Sequence, residues 1–270
     1  MELIERRPGL LSTSMASVFL VNTRSLVLGF SGRLDEAEEL SSRALEAFRT
    51  AGLVESEGVA HGYRATALLL RGHGQEALRH ARRSLEIAEN LDSPLSRALA
   101  RMQCAVVGSF LALWPDTERW GQEGIAIIRE HHVGMMYEPN LLTFWAEALA
   151  SRGESERAQG LIGEAITKAQ SSSNRAMEFR AHLGQARILL WTSASAHADA
   201  IEAALRAAEP LAHEIGLAGW LPWVYEERAA LALSLGDHET QRAHLEEARR
   251  LYETIGATGH LERLAREVGA

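Results

Sequence analysis

The chain is expected to fold as an all-α, right-handed α-solenoid of about six antiparallel helix pairs with a short C-terminal capping helix. Three observations predict this. The stretch Gly58–Pro94 is two amphipathic segments joined by Gly72-His73-Gly74, with small and apolar residues at helical spacing on each. The Gly-led turn then recurs: Gly32, Gly72 and Gly153 each stand five residues before an alanine. Finally, Ala37, Ala77, Thr117 and Ala158 follow one another at steps of 40, 40 and 41 residues. A short helix pair cannot cover both of its own apolar faces, so it needs neighbours of the same kind.

The elements follow in order. Residues 1–13 form a lead-in, and residues 14–270 a single repeat domain. The first pair spans Ser14–Ser31 and Leu34–Ala51. The second is the unit from Gly58, ended by Asp92-Ser93-Pro94 because Pro cannot continue a helix and biases its predecessor toward extended backbone. The third spans Leu95–Leu113 and Asp116–His131, with Pro115 near the first helical position, where a missing N–H does little harm. The fourth spans Pro139–Ser151 and Glu154–Ser171, and Ser171–Asn174 is the clearest loop. The fifth spans Arg175–Trp191 and His197–Ile215. The sixth spans Pro222–Leu235 and Glu239–Ile255, and His260–Val268 caps the array.

Composition narrows the function. Apolar residues make up 46% and charged residues 24%, ordinary values for a globular chain. Aromatics at 6% leave alanine and leucine dominant, which favours helix over sheet. A formal charge of −8 argues against nucleic acid as a direct partner and favours a basic partner segment. The apolar run Met15–Phe30 is interrupted by Asn22-Thr23-Arg24-Ser25, so no membrane span is expected. Cys104 is the single cysteine; with no disulfide to form, a cytoplasmic setting fits, and its apolar neighbours read as a buried core position.

Chemistry-bearing motifs are scarce, and no cofactor, metal or catalytic residue is expected. Lys168, the only lysine, has no Gly-rich turn before it, which excludes a phosphate-binding loop. His131-His132 reads as a helix C-terminus rather than a metal pair. Glu226-Glu227 are adjacent on a helix and point about 100° apart, so they do not converge as an acid–base pair. Trp220-Leu-Pro-Trp223 is the densest aromatic cluster and reads chiefly as a plug between repeats, with a partner hot spot as the alternative.

The repeat residues resemble the tetratricopeptide repeat. Trp145-Ala146, Leu149, Ala158, Ile162 and Ala165 occupy its signature places in the fourth unit. Arg64-Ala65, Leu68, Ala77, Ala81 and Ser84 do so in the second, and Leu183-Gly184 in the fifth. The period is nearer 40 than the family's figure of about 34, and the terminal Pro is mostly absent. Residues 226–268 resemble more narrowly the tail of bacterial AAA/STAND signalling ATPases, many of which also carry a nucleotide cyclase, a kinase or a LuxR-type DNA-binding domain.

That resemblance implies a non-enzymatic interaction and scaffold module, the sensing region of a signalling ATPase or transcriptional regulator. Its partner would be a protein or peptide in the concave groove, an upstream ATPase domain among them. The alternative is a sensor that binds a small effector between repeats. By family register the groove-facing candidates are Asn22, Thr66, Met102, Asn140, Thr143, Glu147, Gln185, Trp223 and Glu226. Asn140, Thr143 and Glu147 form one polar stripe on the first helix of the fourth pair.

Overall fold

A computed structural model of the chain describes residues 15–268, so the 1–13 lead-in lies outside the described residues. The architecture is all-α, with no strand among the described residues. Thirteen helices occur among them. The first helices of the pairs are α1 (Met15–Phe30), α3 (Val54–Arg71), α5 (Pro94–Phe110), α7 (Glu138–Ser151), α9 (Arg175–Ser193) and α11 (Leu221–Ser234). The second helices are α2 (Leu34–Thr50), α4 (Gly74–Glu89), α6 (Trp114–His131), α8 (Ser155–Ser171), α10 (Ala198–Glu214) and α12 (His238–Ile255). The cap is α13 (Thr258–Val268), and a 3-10 turn, Met135–Tyr137, leads into α7. The pairs stack as a right-handed solenoid, first helices inside and second helices outside.

Local chemistry sets the helix ends. Gly72 closes α3 at φ +94°, where a side chain would be strained. Ser93 caps α5 by accepting the Ser96 N–H, and Asn174 caps α9 by accepting that of Met177. Most boundaries fall within two residues of expectation, but α3 begins at Val54, not Gly58. Gly58 and Gly62 lie inside the helix because Ile87 and Gln103 press on them; a Cβ there would stand 2.9 Å from Ile87 Cγ2 and 3.0 Å from Gln103 Cγ. Glycine serves close packing here rather than a turn.

Ala37, Ala77, Thr117 and Ala158 are all fully buried, so the 40-residue step marks the points where paired helices cross. The core is continuous from Leu34 to Leu264. In α7, every residue from Glu138 to Ala150 except Trp145 is buried.

The array also closes on itself. The Gly219 N–H donates to the Phe30 carbonyl at 2.8 Å, which places the approach to α11 against the end of α1. The start of α13 lies against the end of α3, Gly259 backbone on Gly72 backbone. His260 follows, its Nε2–H donating to the Leu69 carbonyl at 3.0 Å. Phe30, Phe110, Trp220, Trp223, Tyr252 and His260 form a chain of ring contacts that fills the seam. The aromatic cluster thus plugs the gap between the last pair and the first, as well as its neighbours.

Two predictions follow from this seam. A Cβ on Gly259 would fall 2.6 Å from the Gly72 oxygen. In an unobstructed helix Gly→Ala stabilises by about 0.5–1 kcal/mol, so Gly259→Ala should reverse that sign. Hydrogen exchange should speed in α13 and α3 before the rest; an unchanged melting transition would remove the seam from the stability of the fold.

The second concerns pH. Burial pulls the His260 imidazole down to about 4. Between pH 6.5 and 4 the unfolded chain therefore takes up a proton here that the folded chain does not, and stability is lost as pH falls through that window. By pH 5 the loss from His260 should reach about 2 kcal/mol. His61, also pulled down to about 4 by burial and the neighbouring His80, steepens the same limb. Urea midpoints against pH should slope less in His260→Gln, which keeps the donor; an identical slope would count against this assignment.

Candidate functional site

Closure leaves a pocket on the concave face, about 620 Å³ of space that includes its open mouth. The first helices of five successive pairs reach it: Leu26 and Phe30 from α1, Tyr63 and Thr66 from α3, Met102 and Gln103 from α5, Asn140 and Phe144 from α7, and Met177 and Arg180 from α9. Leu217 and Trp220, from the approach to α11, complete the wall. The size suits a small molecule or a few residues of peptide.

Its walls are apolar with a few fixed polar groups. The Thr66 hydroxyl donates to Gln103 Oε1 at 2.8 Å, which leaves the Gln103 amide nitrogen as the donor end. Tyr63 and Tyr137 both line it, and burial raises the pKa of both phenols. Asn140 Oδ1 is buried without a hydrogen-bond partner. Arg180, 5% exposed, is the only charged residue on the wall among the described residues. Its guanidinium carbon lies 4.7 Å from the Trp220 ring centre, 4.9 Å from that of Phe144 and 5.5 Å from that of Phe110. Burial lowers its pKa to about 10, opposed by the charges of Glu147 and Glu227, so it remains a cation at neutral pH.

The expected groove residues divide into four groups. Thr66, Met102 and Asn140 come together on the cavity wall. Asn22 is buried in α1, its Nδ2 without a partner, and Trp223 lies in the aromatic seam behind Trp220. Gln185 sits apart, in a recess with Gln159, Ile162 and His197.

The remainder have internal partners. Thr143 is fully buried, its hydroxyl donating to the Pro139 carbonyl at 2.9 Å. Glu147 differs most from the partner-facing stripe expected of it. It has no exposed surface; it accepts from Ser109 Oγ and pairs with Arg187 Nη1 at 3.4 Å. Arg187 Nε in turn donates to Glu227 at 2.7 Å. Glu226 turns the other way and accepts from the Tyr252 hydroxyl and from Arg263, each at 2.6 Å. Glu226 and Glu227 therefore serve different partners, as adjacent helical residues must.

Sequence reading passed over Arg180. A signal was present: Arg180 and Arg187 lie seven residues apart on one face of α9, a helix with apolar residues on all sides. Elsewhere, Cys104 is fully buried and its thiol is pushed up to about 12, which keeps it inert. Lys168 pairs with Glu138 at 3.2 Å. His131 and His132 are exposed at the end of α6, and no metal-binding group of acidic, His or Cys side chains forms among the described residues.

No protein-family profile matches the chain, and no characterised protein matches it by sequence. Solved structures match it in shape. A Rap protein complexed with competence and sporulation factor superposes with a TM-score of 0.71 at 14% identity, over 89% of this chain and 65% of that one. Apo RapI gives 0.69 at 14% identity, over 94% and 90% of the two chains. Aspartyl phosphate phosphatase F from Bacillus subtilis gives 0.67 at 12% identity, over 89% of this chain and 61% of that one. At such identities the likeness is one of fold: a tetratricopeptide-like helical solenoid.

The internal charge pairing makes a prediction. Glu147→Ala would leave the Ser109 hydroxyl without its acceptor and one side of Arg187 bare. Breaking a buried pair from one side costs about 3–5 kcal/mol. Glu154→Ala, in a surface pair with the 60%-exposed Arg157, should cost no more than about 1 kcal/mol. Urea denaturation compares the two directly, and equal midpoints would show Glu147 to be solvated.

Proposed function

We propose that this chain is a non-enzymatic binding module whose enclosed concave face takes a peptide or protein segment and passes its occupancy to the helix pairs around it. The carrying observation is the cavity itself, walled by five successive first helices and offering amide, hydroxyl and guanidinium groups among apolar side chains. Amides at Gln103 and Asn140 suit the N–H and C=O groups of a peptide backbone. A ligand touching five pairs at once resists any change in their mutual packing, which is how binding becomes a signal. The match in fold to a Rap protein complexed with competence and sporulation factor supports the same reading.

The residues around 226–268 support a finer one: the sensing region of a cytoplasmic bacterial signalling ATPase or transcriptional regulator, receiving its partner from within a larger regulatory system. An in-frame or adjacent ATPase gene upstream is the observation that tests it; an unrelated neighbour would sink it.

One fold neighbour is named an aspartyl phosphate phosphatase, so the absence of catalysis has to be tested rather than assumed. Saturable hydrolysis of acetyl phosphate or ATP that survives repurification would overturn the non-enzyme reading. For binding, peptides selected on the purified chain from a display library should lose about tenfold in affinity or more in Asn140→Ala, as expected when a buried polar contact is removed. The melting temperature should hardly move. The outer-face pair Glu154→Ala with Arg157→Glu should leave affinity intact. Selected peptides that ignore Asn140→Ala but respond to the outer-face pair would move the site to the convex surface.

A further inference from the structure

The guanidinium of Arg180 is the least satisfied group among the described residues. Nε, Nη1 and Nη2 are all buried, and none has a hydrogen-bond partner among the described residues. Buried polar groups in native proteins are almost always bonded, and an unbonded charged one is rarer still. The neighbouring carboxylates do not supply the bonds: Glu147 is held by Ser109 and Arg187, and Glu227 by Arg187. They reach Arg180 only through their field. The rings of Trp220, Phe144 and Phe110 lie around the guanidinium carbon, and a cation–π contact uses the charge without using the N–H donors.

We infer that the cavity is a binding site for an apolar carboxylate, with Arg180 as its counter-ion and the α1 and α5 side chains as the seat of its apolar body. A carboxylate presents two acceptor oxygens in the plane of the guanidinium fork, the geometry Arg recognises best. Among the described residues, no acidic side chain lines the cavity to compete for that fork. Leu26, Phe30, Met102 and Val106 offer the ligand's other end only hydrocarbon and one ring, so the ligand is charged at one end alone. The inference rests on the reading that the enclosed concave face is a ligand site, and adds to it the charge and polarity of the ligand. Two sources share this chemistry: a free aliphatic or aryl carboxylic acid, and the C-terminal carboxylate of a short apolar peptide.

The test begins with the unaltered protein. Octanoate is the probe, with 1-octanol and octylamine as controls of the same length, by calorimetric titration and thermal shift. Octanoate should bind at one site and raise the melting temperature. Octanol should bind about 10- to 100-fold more weakly, the range for a charge-assisted bond, and octylamine not at all. An N-acetylated apolar dipeptide with a free carboxylate, compared with its amide, separates the two sources: tighter binding of the free peptide than of octanoate assigns the site to a peptide end, and the reverse to a small acid. Arg180→Met should erase the preference of octanoate over octanol. Arg180→Lys should keep the preference in weaker form. Equal binding of octanoate and octanol, or none of octanoate, overturns the inference; so does an Arg180→Met chain that melts lower and binds octanoate as before, which would leave Arg180 balancing Glu147 and Glu227 alone. Selected peptides that bind through Asn140 while octanoate does not would sink this inference and spare the binding module; octanoate binding without any peptide would do the opposite.

Discussion

The contact between the backbones of Gly72 and Gly259 decides what the rest of the molecule can be. A stack of helix pairs has two free ends and an open inner face. Here the last helix meets the second pair, and Gly219 meets the end of α1, so the inner face is enclosed. Enclosure takes α5, α7 and α9 out of water on nearly every side, which is why polar residues on them must find partners within the protein. It also gathers the aromatic side chains of α1, α5 and α11 into one seam.

Those partners are found one repeat away. Glu147, Arg187 and Glu227 stand at successive intervals of 40 residues, each on the first helix of its pair, and each reaches sideways to the next. Three buried charges in that order sum to −1. Arg180 offsets the remainder across space while its donors stay free. A guanidinium with no hydrogen bond can persist inside this fold because two carboxylates and three ring faces lower its energy from directions that do not touch its N–H groups. A pure core position would carry no charge at all, and a pure structural ion pair would be bonded.

The helices and their pairing were legible in the sequence because the signals are local. Gly at a turn and a small residue at each crossing act within one pair, and Ala37, Ala77, Thr117 and Ala158 mark the register by themselves. The closure was not legible. It joins residues 191 positions apart in the His260–Leu69 bond, and two of its surfaces are glycine backbone, which leaves no side-chain pattern to read. The register of the repeat family they resemble put Thr66, Met102 and Asn140 on the inner side, and all three line one cavity. Glu147 read as part of a partner-facing stripe because a charged residue looks the same in sequence whether a partner or an arginine of its own chain faces it. The distinguishing signal was the 40-residue step to Arg187 and again to Glu227, the same step the alanines show, carried by charged residues instead.

The overall charge points the opposite way from the cavity. At −8 the chain as a whole attracts basic partners, and its outer face holds many of its acids in short-range pairs such as Glu246 with Arg249 and Glu247 with Arg250. Fields from exposed charges fade over a screening length of about 8–10 Å in physiological salt. Inside the cavity apolar walls weaken that screening, and the charge on the wall among the described residues is Arg180. A ligand approaching from a distance meets a weakly repulsive or attractive envelope; a ligand that has entered meets a cation among rings. Net charge therefore governs encounter, and the single buried guanidinium governs which chemistry stays. The choice of a basic partner from composition and of an anionic ligand from the cavity are answers to different questions, and for a site recessed between the first helices the second is the one that sets affinity.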